Sequence, residues 1–360
     1  MNDLGEFYSI PPFSLGKKEK AALLNMRLNA LTARHYSNCA EYRSILDSFG
    51  VKPESSGSYL DIPYLPVSLF KELDLLSVDR SEIAKTMTSS GTTGQAVSKI
   101  YIDKATASNQ QKALVKIVND FAGSSRMPMI IIDSPSVLKD RSMFSARGAG
   151  ILGFSIFGSD RMYALNEDMS LNYEEIDRFL TKHAGKRILL FGFTFMIWRH
   201  LYLALLELRI KIDLSGGILI HGGGWKTMAA QSVSQEDFKK RLGECCGLRH
   251  VYDYYGMVEQ TGSIYMECGE GHLHASIYSD VVIRKAKDFS ACPEGEAGII
   301  QLVSVLPESY PGHSILTEDE GVLLGEDDCP CGRLGKYFKV LGRLPNAEIR
   351  GCSDTYSPSV

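Results

Sequence analysis

The chain has 360 residues, 44% hydrophobic and 23% charged, a balance that suits a large globular body and excludes a membrane bundle or an extended disordered chain. Lys and Arg number 39 against 43 Asp and Glu, a net charge of -4, and with no long basic stripe nucleic-acid binding is not expected. The apolar run from Ile188 to Ile197 is broken by Gly192 and Thr194 and is too short for a membrane span. Residues Met1 to Glu6 lack the basic stretch and apolar core of a secretory leader. The eight cysteines are therefore expected in a reducing, cytoplasmic setting, where spacing reads as metal or nucleophile chemistry.

In chain order, apolar positions Leu23, Leu24, Met26, Leu28, Leu31, Tyr36, Tyr42, Ile45 and Leu46 give a mostly helical period over residues 18–48, ending near Gly50. A Pro and Gly rich loop follows at 53–66. Strands are predicted at 83–87 and 99–102, with a helix over 104–121 and a buried strand at 129–132. Helix and strand then alternate through 173–183, 187–191, 194–209 and 217–221, followed by a helix at 234–245 and a strand at 250–252. This order predicts an α/β body with covered parallel strands, whose ligand loops gather at the strand ends. Residues 1–310 are assigned to that body, with a helical segment at its start, and 311–360 to a short C-terminal region. No fixed-period repeat or low-complexity segment is found.

Between the two strands at 83–102 lies Thr88-Ser89-Ser90-Gly91-Thr92-Thr93-Gly94. Five hydroxyls and two glycines in seven residues supply many donors and close backbone approach, which suits polyphosphate oxygens. It is not a Walker loop, because no Gly-Lys-Ser or Gly-Lys-Thr follows. Lys99 can add a point charge. The plainer alternative is a solvated Ser/Thr linker.

A second loop, His221-Gly222-Gly223-Gly224-Trp225, follows the strand at 217–221 and offers bare backbone for a flat ligand such as adenine, or a tight strand-to-helix turn. Downstream, Tyr252 to Gln260 ends a strand with aromatic residues and then presents Glu259, a candidate magnesium ligand or a surface carboxylate. Asp319 is a candidate partner for ribose hydroxyls, and Arg343, after a strand near 337–341, for phosphate charge.

Cys329 and Cys331 place two thiols within reach of one ion, and Cys268 with His272 or His274 offers the complementary pair. A closed Cys3His set is tetrahedral, structural zinc. A redox pair or inert thiols are the alternatives, and adjacent Cys245 and Cys246 are assigned no chemistry. Near the end of the sequence, Cys352 follows Arg350, which favours the thiolate.

In their order, these motifs resemble the adenylate-forming superfamily, and more closely the LuxE family of acyl-protein synthetases. The resemblance rests on Ser89 to Gly94, Ile62 to Val67 with Phe70-Lys71, Gly192-Phe193-Thr194-Phe195, His221 to Trp225, Tyr255 to Glu259, and Leu341-Gly342-Arg343 leading to Arg350-Gly351-Cys352-Ser353-Asp354. It implies ATP-dependent conversion of a carboxylic acid, by family type a fatty acid, to an acyl-adenylate, transfer to a cysteine thiol, and delivery to an acyl reductase partner. On that resemblance Cys352 is the acylated residue. Ser89, Ser90, Gly91, Thr92, Thr93 and Gly94 hold phosphate, and Gly222, Gly223, Gly224, Tyr254, Tyr255, Gly256, Asp319 and Arg343 hold the rest of the ATP. Glu259 is the magnesium ligand, and Cys268, His272, Cys329 and Cys331 hold zinc.

Two departures stand out. Val258 replaces the threonine that usually precedes the glutamate, and the stretch after Arg343 is too short for the usual C-terminal domain with its catalytic lysine. Lys336 or Lys339 is a candidate substitute for that charge. Phe191, Phe193, Phe195, Trp198 and Trp225 are candidate lining for an apolar acid pocket. Two other readings stay open: a ligase that uses an external thiol on coenzyme A or a carrier protein, and an inactive nucleotide-binding scaffold.

Overall fold

A computed structural model describes residues 4–53, 57–89, 97–138, 146–225, 228 and 232–344. These fall into two compact units, the first formed by the chain up to Ser89, by Gly94–Phe121 and by Gly256–Glu348, the second by Ala122–Tyr255.

In the first unit the helices α1 (Gly5–Ser9), α2 (Lys17–Asn38), α3 (Ala40–Ser48) and α4 (Leu69–Glu72) accompany strands β1 (Leu65–Pro66), β2 (Ile83–Thr88) and β3 (Lys99–Asp103), and β3 runs into α5 (Lys104–Ala122). Of the pattern read from sequence on α2, Leu23, Leu24, Leu28 and Leu31 are buried, joined by Arg27, Thr32 and His35 in one stripe, while Met26 is exposed and Tyr36 half-buried. Strands β2 and β3 form an antiparallel pair.

The second unit is a parallel sheet of β4 (Met127–Ile132), β5 (Gly158–Tyr163), β6 (Ile188–Phe193), β7 (Gly217–Gly222) and β8 (His250–Tyr255). Its spatial order is β5-β4-β6-β7-β8. Every residue of β4, β6 and β7 is buried, as expected for strands covered on both faces. Helices α6 (Ala146–Ser155), α7 (Tyr173–Lys182), α8 (Thr194–Met196), α9 (Ala204–Leu208) and α10 (Gln235–Cys246) intervene, with a π-helical turn over Ile197–Leu203. No helix among the described residues is long and apolar enough to cross a membrane.

The chain then returns to the first unit as β9 (Tyr265–Glu267), β10 (Leu273–His274), β11 (Ser279–Arg284), β12 (Ala297–Ser304), β13 (Ser314–Glu326) and β14 (Lys336–Arg343). These pair antiparallel in the order β11-β12-β13-β14-β10-β9, and β1 joins β13 in parallel, giving a mixed sheet. An α/β body with covered parallel strands was expected, and this half is antiparallel instead. The segments joining β9 through β14 carry turns instead of the crossover helices that parallel neighbours need. The boundary expected after residue 310 falls inside the first unit, because β12 and β13 pair antiparallel across it.

Two imidazoles lie at the heart of this unit. His35 Nδ1 bonds Ser77 Oγ at 2.7 Å, His313 Nε2 bonds Thr32 Oγ1 at 2.9 Å, and the rings are 4.9 Å apart. Burial disfavours the cation, so His35 titrates well below its ordinary range and His313 is lowered to about 3. Below the unfolded value of about 6.5 the unfolded chain takes up protons that the folded chain refuses. Stability is therefore full above that pH and declines on acidification towards 3. In His313→Gln the loss of unfolding free energy between pH 6 and pH 4, from urea titrations, should be shallower than in wild type by up to about 1.4 kcal/mol per pH unit; equal slopes would remove His313 as a contributor.

Candidate functional site

In the second unit the carboxyl ends of β6, β7 and β8 finish in register. Gly192, His221 and Asp253 form one row, and Phe193, Gly222 and Tyr254 the next. The carboxyl end is where open parallel sheets bind ligands. Thr194 Oγ1 donates to the Gly222 carbonyl at 3.3 Å and lies 3.0 Å from His221 Nδ1, which is 3.6 Å from Asp253 Oδ1. Gln235 on α10 donates to the other Asp253 oxygen at 2.8 Å. His221 is fully buried, and burial together with nearby Lys239 lowers its pKa to about 3, so the ring is neutral. Sequence reasoning named the glycines beside His221 but not this network, whose members are up to 59 positions apart.

Gly222 is required by packing. A Cβ there would sit 2.6 Å from Tyr254 Cε1 and 2.8 Å from its carbonyl oxygen. Gly223 adopts φ +78, and Gly224 has open space where a side chain would be. The loop thus presents bare backbone beside Tyr254.

The aromatic residues read as possible pocket lining divide into two buried groups. Phe191 stacks on Phe154 of α6 at 4.2 Å and meets Phe193 at 5.9 Å and Tyr254 at 6.4 Å. Trp198 packs with Trp225 at 5.2 Å and with Phe238 at 6.0 Å, and Phe195 is also buried. Tyr255 ends β8 half-buried.

In the first unit Glu259 lies on a 3-10 turn, Val258–Gln260, with 2% exposure. Its side chain is therefore not the solvated surface carboxylate that was the plainer alternative. Gly256 precedes this turn. Asp319 and Arg343 are direct cross-strand partners on β13 and β14, with Arg343 Nε 3.6 Å from Asp319 Oδ1 and Nη1 4.0 Å from Glu318 Oε2. Lys99 opens β3, exposed and opposite Thr88, while Ser89 closes the base of that hairpin through Ser98. Ser90, Gly91, Thr92, Thr93, Gly94 and Cys352 lie outside the described residues. Of the two substitute lysines, Lys336 is committed elsewhere: its ammonium bonds Tyr59 Oη and the Val281 carbonyl at 3.0 Å each and lies 3.3 Å from Asp280. Lys339 is exposed on β14.

The cysteines converge. Cys268, His274, Cys329 and Cys331 each offer a ligand atom, all within 4.8 Å of one another. Around tetrahedral zinc, bond lengths of about 2.3 Å to sulfur and 2.0 Å to nitrogen give edges of roughly 3.8 Å between sulfurs and 3.5 Å between sulfur and nitrogen. The matching separations are 3.9 Å for Cys268 to Cys329 and 3.4 Å for Cys331 to His274 Nε2. Burial pushes the Cys329 thiol up to about 12 and lowers His274 to about 4. A divalent cation offsets the first and accepts the neutral imidazole of the second. The donors fit zinc in type, spacing and burial. His272, assigned to this set from sequence, lies beside it with Nδ1 3.4 Å from Cys329 Sγ, and His274 takes the place in the four-ligand group.

The fold resembles that of adenylate-forming ligases. It is similar to an open conformation of 2-hydroxyisobutyryl-CoA ligase in complex with 2-HIB-AMP and CoA, with a TM-score of 0.74 and 18% identity over 93% of this chain and 77% of that one. The family "Acyl-protein synthetase, LuxE" matches residues 3–360, and the chain belongs to it. Among named relatives, the long-chain-fatty-acid--luciferin-component ligase of Vibrio harveyi is 23% identical over 353 residues, covering 93% of this chain and 88% of that protein. The phenylacetate-coenzyme A ligase of Thermus thermophilus is also 23% identical, over 93% of this chain and 73% of its own length.

Replacing Gly222 with Ala forces a methyl group into Tyr254 and its backbone. The expected cost is about 1–3 kcal/mol of stability, an overpacking penalty measurable by urea unfolding. An unchanged unfolding midpoint would show that the row of strand ends can shift to make room.

Proposed function

We propose that the protein activates a carboxylic acid with ATP and transfers the acyl group to its own Cys352 thiol, for delivery to an acyl reductase partner. The observation that carries this reading is the acyl-protein synthetase family match along residues 3–360, joined by the similarity to a fatty-acid ligase of bioluminescence. In the first half-reaction a carboxylate oxygen attacks the α-phosphorus of ATP. The bond to the bridging oxygen breaks, and pyrophosphate leaves with its electron pair. In the second, the thiolate sulfur attacks the acyl carbon, forming a thioester and releasing AMP. Joining the acid to AMP is needed because a free carboxylate is a poor electrophile.

In this reading Ser89 to Gly94 donate to the polyphosphate, with Lys99 adding charge. The bare backbone at Gly222, Gly223 and Gly224 receives the adenine beside Tyr254, Tyr255 and Gly256. Asp319 accepts from the ribose hydroxyls, and Arg343, already oriented by Asp319 at 3.6 Å, balances charge at the α-phosphate. Glu259 is the residue that would hold magnesium, which supplies charge neutralisation to the phosphates. The Cys268, His274, Cys329 and Cys331 group is assigned to structural zinc, since four protein donors leave no open coordination position.

A second reading is supported by the coenzyme A ligase likeness over 73% of that relative: the same adenylate passes to an external thiol. Intact-protein mass spectrometry after incubation with ATP, magnesium and a panel of acids separates the two. A mass gain equal to the acyl group, absent in Cys352→Ser, is expected for self-acylation. Acid-dependent pyrophosphate exchange without any adduct would transfer the assignment to the external-thiol reaction, and ATP binding with neither signal would leave a scaffold.

For the metal, elemental analysis of the purified protein should give about one zinc per chain, and Cys331→Ser should lose it and melt several degrees lower, as structural zinc contributes directly to folding. Wild-type protein without zinc but with an unchanged melting temperature after chelation would reject that assignment.

A further inference from the structure

The turn bearing Glu259 is held from behind by a directional pair of hydrogen bonds. Tyr310 Oη donates to the Glu259 carbonyl at 2.9 Å, and Gln110 Nε2 donates to the same hydroxyl at 3.4 Å. All three residues are buried: Glu259 and Gln110 are each 2% exposed and Tyr310 is 0% exposed. A phenol that accepts from an amide must aim its own hydrogen elsewhere, so Gln110 fixes the rotor towards Glu259. Burial holds Tyr310 far above the ordinary phenol range, which keeps it a donor.

The surroundings leave little slack. A Cβ on Gly312 would stand 2.8 Å from the Glu259 carbonyl oxygen, and one on Gly262, at φ +88, would stand 2.6 Å from the Gln110 carbonyl oxygen. Gln260, next to the glutamate, donates to the Gly312 carbonyl at 2.8 Å and to the Leu302 carbonyl at 3.2 Å. Thr261 Oγ1 lies 3.8 Å from Met87 Sδ on β2. Gln110 sits on α5, which continues from β3. The glutamate turn is thus tied through Met87 to β2 and through Gln110 to α5, the helix that follows β3.

We propose that Tyr310 is a positioning residue for the ATP half-reaction: its hydroxyl, oriented by Gln110, sets Glu259 in a fixed register against the β2–β3 hairpin. The inference rests on the nucleotide role proposed above for Glu259. Glu259 would have to be placed accurately to hold magnesium, because that ion tolerates little variation in the position of its oxygen ligands. Tyr310 acts through Glu259 and is not itself a catalytic residue.

Tyr310→Phe removes one oxygen while keeping the ring against Phe70, its edge-on neighbour at 6.3 Å. With the full chain, titration calorimetry of Mg-ATP and the KM for ATP in acid-dependent pyrophosphate exchange are compared with the wild-type values. Both constants should rise roughly five- to tenfold, the effect of losing one buried hydrogen bond, while KM for the acid stays unchanged. Gln110→Leu frees the hydroxyl rotor and should give a smaller shift in the same direction, which keeps the test open if Tyr310→Phe folds poorly. A lower melting temperature with unchanged Mg-ATP affinity in both variants would make Tyr310 a packing residue and overturn the inference. Glu259→Gln separates the two levels of the argument. Unchanged Mg-ATP binding in that variant would remove the nucleotide role of Glu259 and the inference with it, whereas weakened binding there beside an unaffected Tyr310→Phe would sink the inference alone.

Discussion

The first unit depends on one buried carboxylate. Asp280, 1% exposed on β11, lies 3.4 Å from Lys20 of α2 and 3.3 Å from Lys336 of β14, and Tyr59 bonds it as well. Burial alone would raise its pKa, but the two ammonium groups outweigh that and hold it low, while Lys20, buried beside a second cation, is itself lowered. Removing the carboxylate strands two buried ammonium groups without a counterion, at a cost of about 3–5 kcal/mol. Helix α2 and strands β11 and β14 are therefore locked to one arrangement. The same strand, β14, carries Arg343 at its far end, so the register that Lys336 enforces also sets Arg343 opposite Asp319.

A different constraint governs the second unit. Its central strands β4, β6 and β7 are buried throughout and carry no charged side chain to fix them, so their alignment comes from backbone pairing and from the polar link between Thr194, His221 and Asp253. A neutral, buried imidazole is suited to that work: it bonds without introducing a charge that would need its own counterion. The consequence is a level row of strand ends with Gly222 between Phe193 and Tyr254, where polar backbone is offered beside aromatic surface. Such a surface suits a flat, polar ligand.

The Cys3His group contributes in another way. It joins the turn after β9 to the segment between β13 and β14, two stretches 61 positions apart at Cys268 and Cys329. Tyr337 stacks on both His272 and His274, at 4.8 and 5.6 Å, so the aromatic face and the ligand set share one wall. An ion held by these four donors would tie down the hairpin that carries Asp319 and Arg343.

The sequence by itself determined the elements whose signal is local. The helical stripe on α2, the apolar runs of β4, β6 and β7, the hairpin around the Ser and Thr rich loop, and the family motifs are all patterns of neighbours. It left α6 unread, because Gly148, Gly150 and Gly153 weaken the helical signal, and it gave no direction for β11 and β12, which are buried almost throughout and so show no alternation. Tertiary structure alone decided three matters. It chose His274 over His272 for the four-donor group: residues two apart on an extended chain point the same way, so only distance separates them. It placed Lys336 in the Asp280 network and out of reach of a catalytic assignment. It also set Tyr310 and Gln110 behind Glu259, a contact across 51 and 200 positions. Each depends on groups far apart in the chain, whose meeting is fixed by sheet register and burial and leaves no periodic trace in the sequence.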